Sequence, residues 1–310
     1  MKFLALVARR LGATLVVLWL VASAIFLAIR AVPGDPAEAI MGGPGSQASE
    51  QALAEARAAY GLDRPVLVQY AMFLGRLAVG DFGTSYSLKR PVAEVMGEVL
   101  PPTLLLASCA LLTAWLLATI GGLLAVRATA LGSALGSLAE IVAAALPHFW
   151  LGSVLIMLFS TALGWLPAVD TGTPAGMLLP VLTLALPLAG FLTQLLRDSL
   201  ATALGSDFVL AARARGESKT SVFFRHALRH SMLPVLSLSG WAFASLLSGA
   251  VVVEAVFARP GLGRALLSAV LARDIPMVTG IALFSAAVYM LFMTLADAIA
   301  SMLGGRVHAA

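Results

Sequence analysis

The stretch VLPPTLLLASCALLTAWLLATIGGLLAV, residues 99–126, contains 28 consecutive residues without a charged side chain. About 20 apolar residues in helical conformation are needed to cross the roughly 30 Å hydrocarbon core of a bilayer. The stretch is therefore long enough to span a membrane, where every backbone amide must be hydrogen-bonded within its own segment. Because it does not alternate in polarity as a barrel strand does, it predicts a membrane-spanning helix.

Five further uncharged stretches of at least 19 residues divide the rest of the chain. They cover residues 11–29, 141–169, 171–196, 230–253 and 275–296. The sequence thus predicts an all-α membrane protein with six transmembrane helices. The first helix lies within residues 1–31, and the later spans are expected at 99–126, 132–162, 174–197, 232–256 and 276–303.

The composition of the 310 residues agrees with a membrane protein. The apolar set AVILMFWYC makes up 60% of the chain and charged residues only 12%, against about 45–50% and 25% in soluble domains. This balance excludes a soluble enzyme and a disordered chain. The single cysteine, Cys109, lies in an apolar run, so a disulfide framework or a CxxC metal site within the chain is excluded.

The formal net charge of the chain is +4, and the distribution of Lys and Arg between the two sides of the membrane accounts for this basic excess. With the N-terminus inside, eleven basic residues lie in cytoplasmic segments. Nine lie outside, most of them in a loop of about 70 residues that the positive-inside rule discounts. Both termini are therefore predicted to be cytoplasmic, and no nucleic-acid partner is needed. A cleaved signal peptide is the alternative for residues 11–29, but this run exceeds the usual 7–15 residues and a PGDP turn follows at 33–36.

The large outer loop between the first two spans, residues 32–93, is the most polar part of the chain. It is expected to carry short helices at residues 49–59 and 70–79, where helix-forming residues or helical apolar spacing recur. Residues 94–303 then form the transmembrane core.

Few residues within the predicted spans could carry chemistry. Glu140 lies either near the cytoplasmic end of its helix, which is favoured, or within the membrane as a functional carboxylate. Pro147 is expected to bend the same helix, because proline removes a backbone hydrogen bond. Glu254 and Asp297 lie toward the ends of the fifth and sixth spans, not at a midplane, which disfavours an ion-coupled mechanism. Pro147 and Glu254 are candidate residues of a pathway or gate.

The second polar segment, residues 198–231, reads DFVLAARARGESKTSVFFRHALRH from Asp207 onward. Its pattern predicts a helix, a bend at Gly216 and a second short helix that Ser218 caps and that leads into the fifth span. A partner protein could push on this loop, or the loop could rest on anionic lipid. The residue types alone leave both possibilities open.

No motif in the sequence supplies an energy source or an active site. The three lysines, at positions 2, 89 and 219, never follow a glycine, so a P-loop for ATP is excluded. His226 and His230 share the spacing of a metal-binding pair but have no third ligand nearby, and no metal site is predicted. We therefore expect a non-catalytic chain without a cofactor of its own.

The loop resembles the EAA loop of ABC-importer permeases, in the form found in the first permease subunit of dipeptide, oligopeptide and nickel importers. Leu210 departs from the broader motif, which has Glu there. The matching residues of the loop are Ala211, Ala212, Arg213, Ala214, Arg215 and Gly216, followed by Arg225, His226, Ala227, Leu228, Arg229, Leu233 and Pro234. Other blocks similar to the family occur in order at 9–11, 33–37, 60–70, 80–86, 90–92, 100–106, 163–168 and 251–264.

This resemblance implies a type I importer fold in the bacterial inner membrane. A second permease subunit would complete a heterodimer, a periplasmic substrate-binding protein would deliver solute, and two cytoplasmic ATPase subunits would bind ATP and Mg. The helix around residues 216–225 would be the coupling helix, with Val222, Phe223 and Phe224 entering an apolar pocket of an ATPase. The implied coupling residues are Asp207, Ala211, Ala212, Arg213, Arg215, Gly216, Glu217, Ser218, Val222, Phe223, Phe224, Arg225, His226 and Leu228.

The resemblance implies di- or oligopeptides as the solute. Nickel, metallophores and glutathione are the alternatives within the family, and His148, Phe149 and Trp150 are slightly similar to nickel-type subunits. An autonomous channel or ion-coupled carrier is the alternative from a different class. An intramembrane enzyme is disfavoured because no nucleophile and base pair is present.

Overall fold

A computed structural model describes the backbone of residues 2–31, 35–41, 48–127 and 129–307. The side chains of residues 1–11 and 296–310 lie outside this description, and so does the predicted span-end carboxylate Asp297. The PGDP turn falls partly on residues outside it as well.

The described residues form helices and contain no strand beyond one isolated bridge between Thr84 and Pro91. Two π-helical turns interrupt the α-helices, at Ile156–Ala162 after α7 and at Phe223–Ala227 before α11. The α-helices are α1 Lys2–Ala31, α2 Pro36–Ile40, α3 Glu50–Ala59, α4 Val66–Ala78, α5 Val92–Arg127, α6 Ala130–Ala145, α7 His148–Leu155, α8 Pro174–Leu204, α9 Asp207–Ala214, α10 Lys219–Val222, α11 Leu228–Val256, α12 Leu262–Leu271 and α13 Ile275–Val307.

Four stretches of the described helices are long and apolar enough to cross a membrane. They are Val92–Ala125, Pro174–Leu204, Lys219–Val256 and Ile275–Leu295. The bent pair α6 and α7 brings the number to five if it counts as one span. The first helix contributes the shorter apolar stretch Gly12–Ala28.

The structure corrects the prediction of one helical span over residues 132–162. Two helices, α6 and α7 with its π turn, meet there at an angle of 106°. Leu146 and Pro147 are extended between them, with ψ angles of 125° and 134°. The residue before a proline avoids the α region, and proline cannot donate a helical hydrogen bond. Pro147 therefore ends one helix and begins another, which is more than the expected bend.

The chain divides into two compact units, and the first contains residues 1–103 and 260–290. Its core contains Val92, Val95 and Met96 of α5 packed with Leu262 of α12 and Met277 and Ile281 of α13. Gly280 lets α13 approach α5 closely, since a Cβ atom there would lie 2.6 Å from Val92 Cγ1. The first unit is thus held by apolar contacts between helices that are distant in sequence.

Asp274 is a fully buried carboxylate of the first unit that connects two loops. The hydroxyls of Ser85 and Ser87 donate to it at 2.5 and 2.7 Å, and the Ser87 amide donates at 3.0 Å. Burial disfavours the charged form, but these hydrogen bonds prevail and hold the pKa of Asp274 below its ordinary value. The loop before α5 is therefore fixed to the turn before α13.

The second unit contains residues 104–259 and 291–310 and is organised around α8. This helix begins where Thr173 accepts a hydrogen bond from the Gly176 amide at 3.3 Å, with Pro174 at its first position. Gly190 of α8 allows close contact with α6, because a Cβ atom there would lie 2.6 Å from the carbonyl oxygen of Glu140. Glycine thus sets the distance between two helix backbones.

Two ion pairs in the second unit join side chains that no sequence motif connected. Arg197 of α8 lies 3.1 Å from the Glu140 carboxylate of α6. Arg259, after α11, pairs with Asp170, and both side chains are almost completely buried. Each pair neutralises charges that would be costly to bury singly. Glu140, the eleventh of sixteen residues in α6, therefore has its partner on a neighbouring helix.

Candidate functional site

The linking segment, residues 205–227, joins α8 to α11 and contains all but one of the predicted coupling residues. The exception, Leu228, is the first residue of α11. The first helix of the linking segment, α9, ends in a Schellman motif. The Gly216 amide donates to the Arg213 carbonyl at 3.0 Å, and the Glu217 amide donates to the Ala212 carbonyl at 3.3 Å. Gly216 has a φ of +83°, a left-handed conformation that side chains with a Cβ rarely adopt.

The second half of the linking segment is continuous with α11. Ser218 caps α10 by accepting a hydrogen bond from the Ser221 amide at 3.2 Å, as its sequence context predicts. The π turn then passes into α11 without a break. The backbone of α10 is therefore continuous with that of a long helix.

A small apolar cluster holds the two halves of the linking segment together. It contains Ala203 of α8, Val209 and Ala212 of α9, Val222 of α10 and Ala227 of the π turn. Val222 is only 1% exposed and Ala212 is completely buried. The prediction that Val222 enters a pocket of a partner is therefore wrong for this structure, because its side chain already packs inside the protein.

The Glu217 carboxylate connects the bend at Gly216 to the π turn through hydrogen bonds. It accepts hydrogen bonds from Arg215 at 3.1 Å and from Ser221 at 3.3 Å, and it lies 3.0 Å from His226 Nε2. The bonds from His226 and Arg215 lower the pKa of Glu217. His226 and His230 have different neighbours, since the ring of His230 packs 5.1 Å from Phe208.

The outer surface of the linking segment combines cations with apolar side chains. Phe224 is 53% exposed and Leu210 is 66% exposed, while Phe223 is half-buried against Phe224 with ring centroids 5.1 Å apart. The exposed basic residues are Arg213, Arg215, Lys219 and Arg225, and Arg229 follows in the first turn of α11. Asp207 and Ala211 are also exposed on α9. This surface can present both charge and apolar area to a partner.

Residues that the sequence placed in a pathway or gate lie away from this surface. Pro147 is an exposed residue at the break between α6 and α7, and Glu254 is completely buried near the end of α11. Sequence reasoning missed Lys219 and the exposed Leu210 as surface groups. The available signal was that Lys219 lies three residues after Gly216 and Leu210 six residues before it.

Comparison with known families gives two matches that together cover most of the chain. Residues 117–309 match the family described as binding-protein-dependent transport system inner membrane component. Residues 1–107 match the N-terminal family of the membrane component of the same type of system. The linking segment lies within the first match.

Individual relatives are similar over nearly their whole length. A protein of Brucella suis named as a peptide transport system permease is 35% identical over 98% of this chain and 99% of its own. The glutathione transport system permease GsiC of Salmonella paratyphi A is 38% identical over 88% of each chain. Among solved structures, the methionine ABC transporter MetNI has a TM-score of 0.57 at 16% identity, covering 67% of this chain and 96% of that one. This last likeness shows the fold alone.

Proposed function

The chain belongs to the family of binding-protein-dependent transport system inner membrane components and is an ABC-importer permease, and we propose that it takes up di- or oligopeptides. In this proposal a second, related permease subunit completes the membrane pathway. A periplasmic binding protein delivers the peptide to the outer side. Two cytoplasmic ATPase subunits bind ATP and Mg and supply the energy, while this chain hydrolyses nothing.

Peptide is favoured as the substrate by the names of the relatives. The Brucella relative is named for peptide transport, and the Salmonella relative for glutathione, which is itself a tripeptide derivative. Glutathione is therefore the first alternative, ahead of nickel and metallophores. Calorimetry with the binding protein encoded beside this gene tests the choice. Binding of dipeptides supports the proposal, and binding of nickel complexes alone contradicts it.

The single observation that supports coupling is the mechanical continuity of the linking segment. The internal cluster at Val222 and the Glu217 hydrogen bonds make the bend rigid, and its two ends continue into α8 and α11. We propose that Phe223 and Phe224 enter a groove of an ATPase and that the exposed arginines contact its rim. Nucleotide-driven motion of the ATPase would then move α11 as a rigid element.

The topology belongs to the same proposal. Six spans, with α1 as the first and the broken pair α6 and α7 as the third, would place both termini in the cytoplasm of the bacterial cell. The inner membrane is the location that the family and the apolar helices support. Pro147, at the helix break, and Glu254, buried in α11, are proposed as parts of a pathway or gate.

Uptake by the complete transporter tests the coupling proposal. Replacing Phe223 and Phe224 with alanine is expected to abolish uptake of a labelled dipeptide while the protein remains in the membrane. Phe149→Ala, which truncates an exposed aromatic side chain of α7, is the matched control. Uptake that persists in the double variant contradicts the coupling role. Solute movement by this chain alone in liposomes would favour an autonomous channel or carrier.

A further inference from the structure

An open groove of about 610 Å³ lies between the end of α5 and the linking segment. One wall is formed by Ile120, Leu123 and Leu124 of α5, and Leu204 closes it at the end of α8. Phe223 and Phe224 form the opposite wall. The volume falls within the range of about 300–1,000 Å³ that small-molecule sites occupy in proteins.

The groove lies at the level where two predicted spans end. The apolar stretch of α5 extends to Ala125 and that of α8 to Leu204. Ile120 and Leu124 are 44% and 65% exposed, so the wall on α5 presents apolar surface within the last turns of a span. The natural neighbours of the α5 wall are acyl chains, because this wall lies within the apolar stretch of a span.

Two cations stand at the edge of the groove. Arg213 reaches it from α9 and Lys219 from α10, with the hydroxyl of Thr220 beside them. Among the described residues, neither cation forms an ion pair within 4 Å. The nearby Glu217 carboxylate is occupied by Arg215, Ser221 and His226. Positive charge above an apolar slot is complementary to an anionic headgroup above an acyl chain.

We propose that this groove binds a phospholipid with an anionic headgroup. One acyl chain would lie along Leu123 and Leu124, and the phosphate would contact Arg213 and Lys219. The site goes beyond the proposed function and rests on it only for assigning the lipid to the cytoplasmic leaflet. It would hold the linking segment at the membrane surface, and it shares Phe223 and Phe224 with the proposed ATPase contact.

Photo-crosslinking of the purified full chain in detergent tests the site. The probes are phosphatidylglycerol and phosphatidylcholine with identical photoreactive acyl chains, and mass spectrometry identifies the labelled residues. We expect phosphatidylglycerol to label peptides that contain Leu123, Leu124 or Phe223 in preference to phosphatidylcholine. The double variant Arg213→Gln with Lys219→Gln should lose up to about 30-fold of this preference, since each basic residue near a headgroup contributes about 1 kcal/mol.

The matched control removes the same amount of charge from two nearby exposed arginines outside the groove, Arg225 of the π turn and Arg229 of α11. Arg225→Gln with Arg229→Gln is expected to keep the preference, because these exposed arginines do not line the cavity. An equal loss in the control, equal labelling by both probes, or labelling only elsewhere would each overturn the site. If the double variant does not fold, competition by unlabelled phosphatidylglycerol on the native chain decides, and failure to compete overturns the proposal.

Addition of the ATPase subunits separates lipid from protein as the occupant. If stoichiometric ATPase abolishes labelling of Leu123 and Leu124 on α5, which the coupling proposal does not assign to the ATPase, the groove belongs to a protein interface and the lipid proposal is wrong. Labelling of Leu123 and Leu124 that persists with ATPase bound supports the lipid proposal. The labelling experiment without ATPase does not depend on transport. The lipid site can therefore be disproved by absent labelling while dipeptide uptake by the complete transporter is observed. Conversely, labelling of the groove can be observed while dipeptide uptake is absent.

Discussion

Gly216 shows how one backbone angle can set the shape of the proposed coupling surface. Among the described residues, a Cβ atom there would meet nothing within 4 Å, so space does not demand glycine at this position. The demand comes from the φ of +83°, which costs an L-residue roughly 1–2 kcal/mol.

We therefore expect Gly216→Val to abolish dipeptide uptake while the protein still reaches the membrane, because the Schellman bend cannot form without strain. Gly216→Asn is the matched control, since asparagine tolerates left-handed backbone better than other residues do. It should retain more uptake than the valine variant. Equal uptake in the native and valine proteins would show that the bend has no part in coupling.

Val222 is a residue whose burial the sequence did not predict. Its neighbours Phe223 and Phe224 are apolar too, and the three residues together suggested one surface for a partner. The structure divides them, with Val222 inside the small cluster and Phe224 exposed. Residues two apart on a helix do not share a face, so ordinary helical spacing already separates Val222 from Phe224, and the π turn begins only at Phe223.

At the scale of elements, contact between α6 and α8 depends on Gly190. A Cβ atom at this position would lie 2.6 Å from the Glu140 carbonyl oxygen and 2.9 Å from the Ala144 amide nitrogen. Both are backbone atoms and cannot move aside as a side chain does. The close approach also brings Glu140 and Arg197 into an ion pair across the two helices.

Gly190→Ala is expected to destabilise the protein by about 1–3 kcal/mol, the usual cost of overpacking a core. The control is Gly136→Ala on α6, where a Cβ atom would meet no described atom within 4 Å. Because alanine favours helix over glycine, the control should be neutral or stabilising by up to about 1 kcal/mol. Thermal unfolding in detergent measures both, and a Gly190 variant as stable as the control would contradict the packing argument.

At the scale of the whole molecule, the pH dependence of stability should have an identifiable contribution from Asp274. Its pKa is lower in the folded protein than its ordinary value of about 3.9. The folded state therefore gains stability from the charged carboxylate above about pH 4. This gain is lost as the pH falls through the lower folded pKa.

We expect Asp274→Asn to unfold at a lower temperature than the native protein at pH 7. The difference should shrink as the pH falls below about 4. Asp63→Asn removes an exposed carboxylate from the same unit and is the matched control. Thermal unfolding in detergent at pH 7, 5 and 3.5 measures the difference, and one that stays constant through this range would contradict the assignment.

The whole molecule also shows why a chain without an ATP-binding motif can belong to an ATP-driven family. Its membership follows from sequence similarity, and its own residues supply spans and a rigid linking segment. Under the coupling proposal the energy enters through a surface, for which the linking segment offers exposed cations and Phe224. The sequence has no P-loop, and in this proposal the surface of the linking segment takes the place of an ATP site in the same chain.

The sequence by itself determined the membrane class, most of the long helices, the bend at Gly216 and the cap at Ser218. These features follow from local causes, namely uncharged length, backbone sterics and side-chain hydrogen bonds to nearby amides. The family resemblance was also readable from local blocks such as residues 251–264.

Only the tertiary structure decided which residues meet. It paired Asp274 with Ser85, Glu140 with Arg197 and Arg259 with Asp170 across tens to hundreds of residues. It also buried Val222 and opened the groove beside Lys219. Such contacts depend on the distance between helices and on the rotation of each helix. Hydropathy and spacing along one segment contain no information about these quantities, so the fold had to supply it.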